Sequence, residues 1–209
     1  MPPMILAFDT SGAACTVALF DAAGTVVGAR DDIIGRDHAE RLVPMIAEMM
    51  TTTTDGRADK ILVGVGPGSF TGLRVAIAAA HGLAIGWGAE LKGISSLALL
   101  AAGAAADGEV AAAVAGGHGE LFVQQFEAAS VEPTSELLNF PAAEAARAMR
   151  AQLVVGSGAQ QLVEARGWGE AHERWPSAAN ALRLPLVLRS LPPQPVYARA
   201  PDARVPEAA

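Results

Sequence analysis

The 209 residues are 51% hydrophobic, enough for a real core in one large domain or two small lobes, which excludes a disordered or fibrous chain. A net charge of −7 and a pI near 5.1 leave no broad basic face for a phosphate backbone, so RNA contact is expected only through a partner. Cys15 is the single cysteine and lies in an apolar strand pattern, which excludes a disulfide framework and fits a reducing cytoplasm; Asp9 cuts short the N-terminal apolar run, so it does not read as a signal peptide.

In chain order, Met4 to Phe8, Cys15 to Phe20 and Thr25 to Arg30 predict an antiparallel meander with turns at Asp9-Thr10-Ser11-Gly12 and Asp21-Ala22-Ala23-Gly24. Asp37 to Met50 predicts a helix, with Asp37 and Glu40 as a capping box and a bend expected at Pro44. Its stripe of Leu42, Met45, Ile46, Met49 and Met50 fits either the chain's own sheet or a partner, since methionine adapts to irregular surfaces.

The stretch from Gly64 to Arg74 is the most informative. A short apolar strand, Ile61 to Val65, runs into Gly66-Pro67-Gly68-Ser69-Phe70-Thr71-Gly72 and then an Ala-rich helix reaching Trp87. Ser69 or Thr71 is placed to cap that helix. Such a junction suits either an anion, held by orphan N–H groups and the positive dipole end, or a closely packed second backbone. It is not a Walker A loop, because Gly72 is followed by Leu73-Arg74 instead of Lys-Ser/Thr, and its glycine spacing fails the dinucleotide fingerprint. Val75 to Leu91 is the nearest approach to a membrane span, but Ala, Gly and His81 make it a buried helix by expectation.

A strand at Leu91 to Ile94 and a helix from Ser96 to Ala106 complete a first lobe, with Asp107-Gly108 as the boundary. The expected division is 1–106, a ribonuclease-H-like lobe, and 107–209, a smaller α/β lobe with a Pro-rich tail. In the second lobe, Val110 to Ala115 and Leu121 to Phe126 predict a hairpin around Gly116 to Gly119. Leu137 to Phe140 predicts a strand, Pro141 to Ala151 a helix, Leu153 to Val155 a strand and Gly158 to Ala165 a helix. A last helix is expected near Ala178 to Leu191, interrupted by Pro185. The order is that of an α/β, two-lobed actin-like ATPase fold with a reduced second lobe.

The motifs together resemble one family. Ile5 to Ser11, Arg36-Asp37-His38 with Leu42 and Pro44 behind it, the Gly64 to Arg74 turn and Pro195-Val196-Tyr197-Ala198-Arg199 are similar to the bacterial tRNA threonylcarbamoyladenosine biosynthesis proteins TsaB, also called YeaZ. The resemblance implies a non-catalytic scaffold with no activity alone. Its implied partners are the transferase TsaD, which modifies N6 of adenosine 37 in tRNAs reading codons that begin with adenine, and the ATPase TsaE. It further implies tRNA contact only through the complex, no membrane, a cytoplasmic location, and a candidate homodimer through the same helices. The catalytic relative's metal-binding histidine pair falls at Ser96 and Leu100, so no metal site is expected.

For this family, His38, Leu42, Met45, Ile46, Met49, Arg74, Ala76 and Ala80 are the candidate partner-interface residues, and Gly66 to Gly72 braces the second interface helix. Asp9, Ser11 and Gly12 are candidate nucleotide neighbours, against the plainer reading of an Asx-type turn. No cofactor of its own is expected, with ATP or ADP confined to a complex interface. The rival reading is a stand-alone actin-fold ATPase or small-molecule kinase. Ala115-Gly116-Gly117 departs from the family's Asp-Ala-Arg and leaves the role of those charges open.

Overall fold

A computed structural model describes residues 3–53 and 55–196. The first sheet runs β3-β2-β1-β4-β5, built from β1 (Ile5–Asp9), β2 (Ala14–Phe20), β3 (Val26–Ile33), β4 (Lys60–Gly64) and β5 (Glu90–Ile94). β1, β2 and β3 are antiparallel, and β4 and β5 run parallel to β1. The second sheet, β10-β9-β6-β7-β8, repeats this plan. β6 (Glu109–Ala115), β7 (Glu120–Glu127) and β8 (Leu138–Pro141) form its meander, and β9 (Leu153–Val155) and β10 (Glu170–His172) run parallel to β6. The two sheets thus share one topology, with much shorter parallel strands in the second.

Strand alternation divides the apolar residues of the first sheet between two cores. Leu6, Phe8, Val17, Leu19, Ile61 and Val63 face α1 (His38–Met50) and α2 (Phe70–Trp87), which pack side by side on one face. Ala7, Ala18, Phe20 and Leu62 face α3 (Ser96–Ala102), whose seven residues are all buried. Val110, Ala112, Val114 and Phe126 of the second sheet join that same cluster, so α3 ties the two sheets into a shared core. The outer face of the second sheet is covered by α4 (Ala142–Ala148) and α5 (Ala159–Arg166). Cys15 is fully buried and burial pushes its thiol up to about 11, which makes it inert.

Four local expectations are corrected. No capping box forms at α1, because Asp37 sits in the left-handed region (φ 61) and its carboxylate makes no cap bond. The helix expected at Ala178 to Leu191 is two 3₁₀ segments, Ala178–Arg183 and Leu186–Leu188; Leu184, which precedes Pro185, is extended (ψ 140), as the proline ring demands. α3 stops at Ala102, four residues early. α4 stops at Ala148, with Met149 extended (ψ 134). β10 has no counterpart in the sequence reading, since three residues carry too little pattern.

The turn after α4 is held by one buried side chain. Gln125, 6% exposed, accepts through Oε1 from the N–H groups of both Arg150 and Ala151, at 2.8 Å each. Gln125→Leu leaves both amides without an acceptor. The expected cost is about 2–3 kcal/mol of unfolding free energy, read as a lower urea midpoint at unchanged m-value.

Candidate functional site

The glycine motif resolves into a junction of three turns. After the cis Gly66–Pro67 bond, Ser69 caps α2 by accepting from Gly72 N–H at 3.2 Å, and Ser69 N–H donates to the Ser11 carbonyl at 2.7 Å. Thr10 Oγ1 donates to the Gly72 carbonyl at 2.7 Å. A Cβ on Gly72 would strike the Thr10 carbonyl, one on Gly68 the Ser11 carbonyl, and one on Gly64 the Asp9 carboxylate. Of the two uses a glycine-dense turn could have, Gly68 and Gly72 serve the close approach of a second backbone, and Gly64 leaves room for the Asp9 carboxylate.

Behind them Asp9 is fully buried. Its Oδ1 accepts from Ser11 N–H at 2.6 Å, the expected Asx-type turn, and its Oδ2 accepts from Ser96 Oγ at 2.5 Å. Ser96 Oγ also accepts from Gly66 N–H at 3.1 Å, and Ser96 N–H donates to the Gly66 carbonyl at 3.1 Å. Where the catalytic relative is expected to carry a metal ligand, this chain has a hydroxyl that joins the Asp9 and Gly66 turns. Leu100, at the second ligand position, is 2% exposed within the core. Among the described residues no group of three His, Cys, Asp or Glu side chains is arranged to hold a metal ion.

Burial pushes the Asp9 carboxyl above its ordinary range, opposed by hydrogen bonds from Ser11 and Ser96 and by the nearby His38. A raised native pKa means the folded chain holds a proton that the unfolded chain has released. Stability therefore falls as pH rises from the unfolded value near 3.8 through the folded one. Asp9→Asn removes this slope. The variant is expected to gain stability relative to the parent as pH climbs from 4 toward neutrality, and equal pH slopes in urea titrations would refute it.

The expectation that Asp9, Ser11 and Gly12 neighbour a nucleotide is not met by this geometry. Both Asp9 oxygens are engaged and out of solvent reach, and Ser11 is 4% exposed. Gly12 faces Trp175, whose Cε3 lies 3.0 Å from where a Gly12 Cβ would stand, with Pro176 beside it. The cavity left between the two sheets here is about 10 Å³, room for one water. Trp175 stands 163 residues from Gly12, and nothing in its flanking sequence signals this packing.

The interface candidates divide by accessibility. Leu42, Met45, Ile46, Ala76 and Ala80 are at most 3% exposed and pack into the chain's own core, so they are not available to a partner. This corrects their assignment: period-3.6 spacing marks the apolar stripe but not which body it meets. Met49 is half-buried against the same core. His38 is 8% exposed. Arg74 is exposed, its guanidinium 3.4 Å from the Phe70 ring centroid. The outward face of the pair instead presents Val43 (56% exposed) and Ile85 (84%), with Ala39, Ala47, Ala78, Gly82 and Gly86 also exposed. By length and hydropathy α2 could cross a membrane. It is less enclosed than the buried helix expected from the sequence, since Leu73, Ala76, Ile77 and Ala80 pack inward while its other side lies open.

The C-terminal stretch returns to this junction. Leu191 bridges Gly93 of β5, and Val196 N–H donates to the Val65 carbonyl at 2.9 Å. Of the Pro195 to Arg199 motif, Tyr197, Ala198 and Arg199 lie outside the described residues.

Residues 28–165 match the family model described as TsaD, tRNA N6-adenosine threonylcarbamoyltransferase. The structure of YeaZ from Pseudomonas aeruginosa superposes with a TM-score of 0.77 at 26% identity, covering 93% of this chain and 99% of that one. The chain belongs to this family, in its TsaB (YeaZ) group. Its fold is accordingly of the actin-like ATPase type, as expected. The tRNA threonylcarbamoyladenosine biosynthesis protein TsaB of Escherichia coli K12 is 42% identical over 102 residues, 48% of this chain and 43% of that protein. Its Haemophilus influenzae counterpart is 39% identical over 100 residues, 46% of this chain and 41% of that protein. The matched stretch thus spans less than half the length of these curated relatives.

Proposed function

We propose that this chain is a non-catalytic subunit in the threonylcarbamoylation of N6 of adenosine 37 in tRNA, acting as scaffold and activator of a TsaD transferase together with TsaE. The observation that carries this reading is the outward face of α1 and α2. Two large aliphatic side chains stand out there among alanines and glycines, on helices the core already holds rigid. Small residues let a facing helix approach closely, so the partner element that fits is a second helix pair. In this reading the same face allows a homodimer when the transferase is absent, tRNA is met only through the complex, and any nucleotide of the assembly lies outside this chain's own interlobe cleft.

The names of the TsaB relatives support the pathway, and the sealed Asp9 and absent histidine pair favour a supporting role over chemistry. The test is a modification assay with purified TsaD, TsaE and threonylcarbamoyl-adenylate donor. Modified adenosine is expected to fall to background when this chain is omitted and to return on add-back. Full modification without it sinks the proposal, as would ATP hydrolysis by the chain alone that disappears in Asp9→Ala.

A further inference from the structure

Beside the junction, the first turns of α1 and α2 converge on a groove of about 540 Å³ at the edge of the proposed docking face, which Ala39 shares. α1 enters it without a side-chain cap, so the N–H groups of Ala39 and Glu40 have no acceptor among the described residues, and Thr71 N–H at the start of α2 has none either. Ser69 and Thr71 supply hydroxyls and Arg36 an exposed guanidinium. His38 lines the groove, is 8% exposed, and its Nδ1 is buried with no hydrogen-bond partner. An unmatched buried imidazole nitrogen is costly enough to demand an explanation. A ligand that accepts hydrogen bonds would satisfy it and the helix amides together.

We propose that this groove binds a single phosphate group, held by the Ala39, Glu40 and Thr71 amides, His38 Nδ1–H and Arg36. Two helix dipoles and a guanidinium favour the anion. The Asp37 and Glu40 carboxylates line the same groove and oppose it, which restricts the ligand to one phosphate and disfavours a polyphosphate chain. Free inorganic phosphate and a nucleoside monophosphate share this chemistry. Its test is independent of the docking role, because phosphate binding is measured on the isolated chain.

The experiment is an amide- and imidazole-resolved NMR titration of the full chain with inorganic phosphate, against sodium chloride at equal ionic strength. Saturable shifts at Ala39, Glu40, Thr71 and the His38 ring are expected with phosphate alone. Arg36→Ala, on an exposed loop, and His38→Gln should each weaken binding roughly tenfold, the worth of one charge-assisted hydrogen bond, and Glu40→Gln should tighten it. Adenosine monophosphate supplies the second arm: the same shifts at lower concentration assign the group to a nucleotide, and no gain over phosphate assigns it to the free ion. Shifts matched by chloride, or binding unchanged in both Arg36→Ala and His38→Gln with thermal melts intact, overturn the site.

Discussion

Gly72→Ala is expected to be the most damaging single methyl that can be added to this chain, lowering stability by about 3 kcal/mol or more. The new Cβ would enter the space of the Thr10 carbonyl, which is backbone in a buried turn and cannot swing aside as a side chain tip can. Relief requires the first turn of α2 to move off the Asp9-Thr10-Ser11 turn. That movement breaks the bonds from Thr10 Oγ1 to the Gly72 carbonyl and from Ser69 N–H to the Ser11 carbonyl. The control is Gly82→Ala in the same helix, where a Cβ meets nothing within 4 Å. There alanine's better helix propensity should raise stability by up to about 1 kcal/mol. Urea titration of the pair checks both signs at once, and near-equal effects would show that the motif's glycines do not serve close approach.

Much of this architecture is legible in the residues. Short apolar runs bounded by turn residues in β1 and β2, the glycine turn before α2 and the strand–helix order that follows identify the first lobe, because each signal is local and strong. What sequence withheld was tertiary. The stripe of Leu42, Met45 and Ile46 reads equally well against a sheet or a partner, and only the sheet packed on it decides between them. Trp175 filling the space over Gly12 is a contact across most of the chain, with no periodicity to announce it. The glycine turn reads as either an anion cradle or a backbone contact, and only the Thr10 and Ser11 carbonyls lying against Gly72 and Gly68 decide between them. The short second lobe suffers differently: strands of three residues such as β9 and β10 carry too few positions to establish a period.

The same distinction between stripe and outward face decides how the docking reading should be tested. Met45→Asp places a charge where the side chain is 1% exposed, so it is expected to unfold the chain and says nothing about partners. Val43→Asp with Ile85→Asp alters two exposed positions. Substitutions of that kind shift stability by about 0.5 kcal/mol or less each, so the melting profile should be nearly unchanged. In a helix-on-helix interface, however, each carboxylate would be stripped of water opposite apolar side chains. Losing a few kcal/mol per site weakens association by roughly a hundredfold or more. Co-purification with a TsaD partner should therefore fail while the circular dichroism spectrum and urea midpoint stay as in the parent. Modification in the add-back assay should fall with it. Retained binding by this folded double variant would remove α1 and α2 as the docking face, and the aliphatic side chains left open at Val43 and Ile85 would then need another explanation.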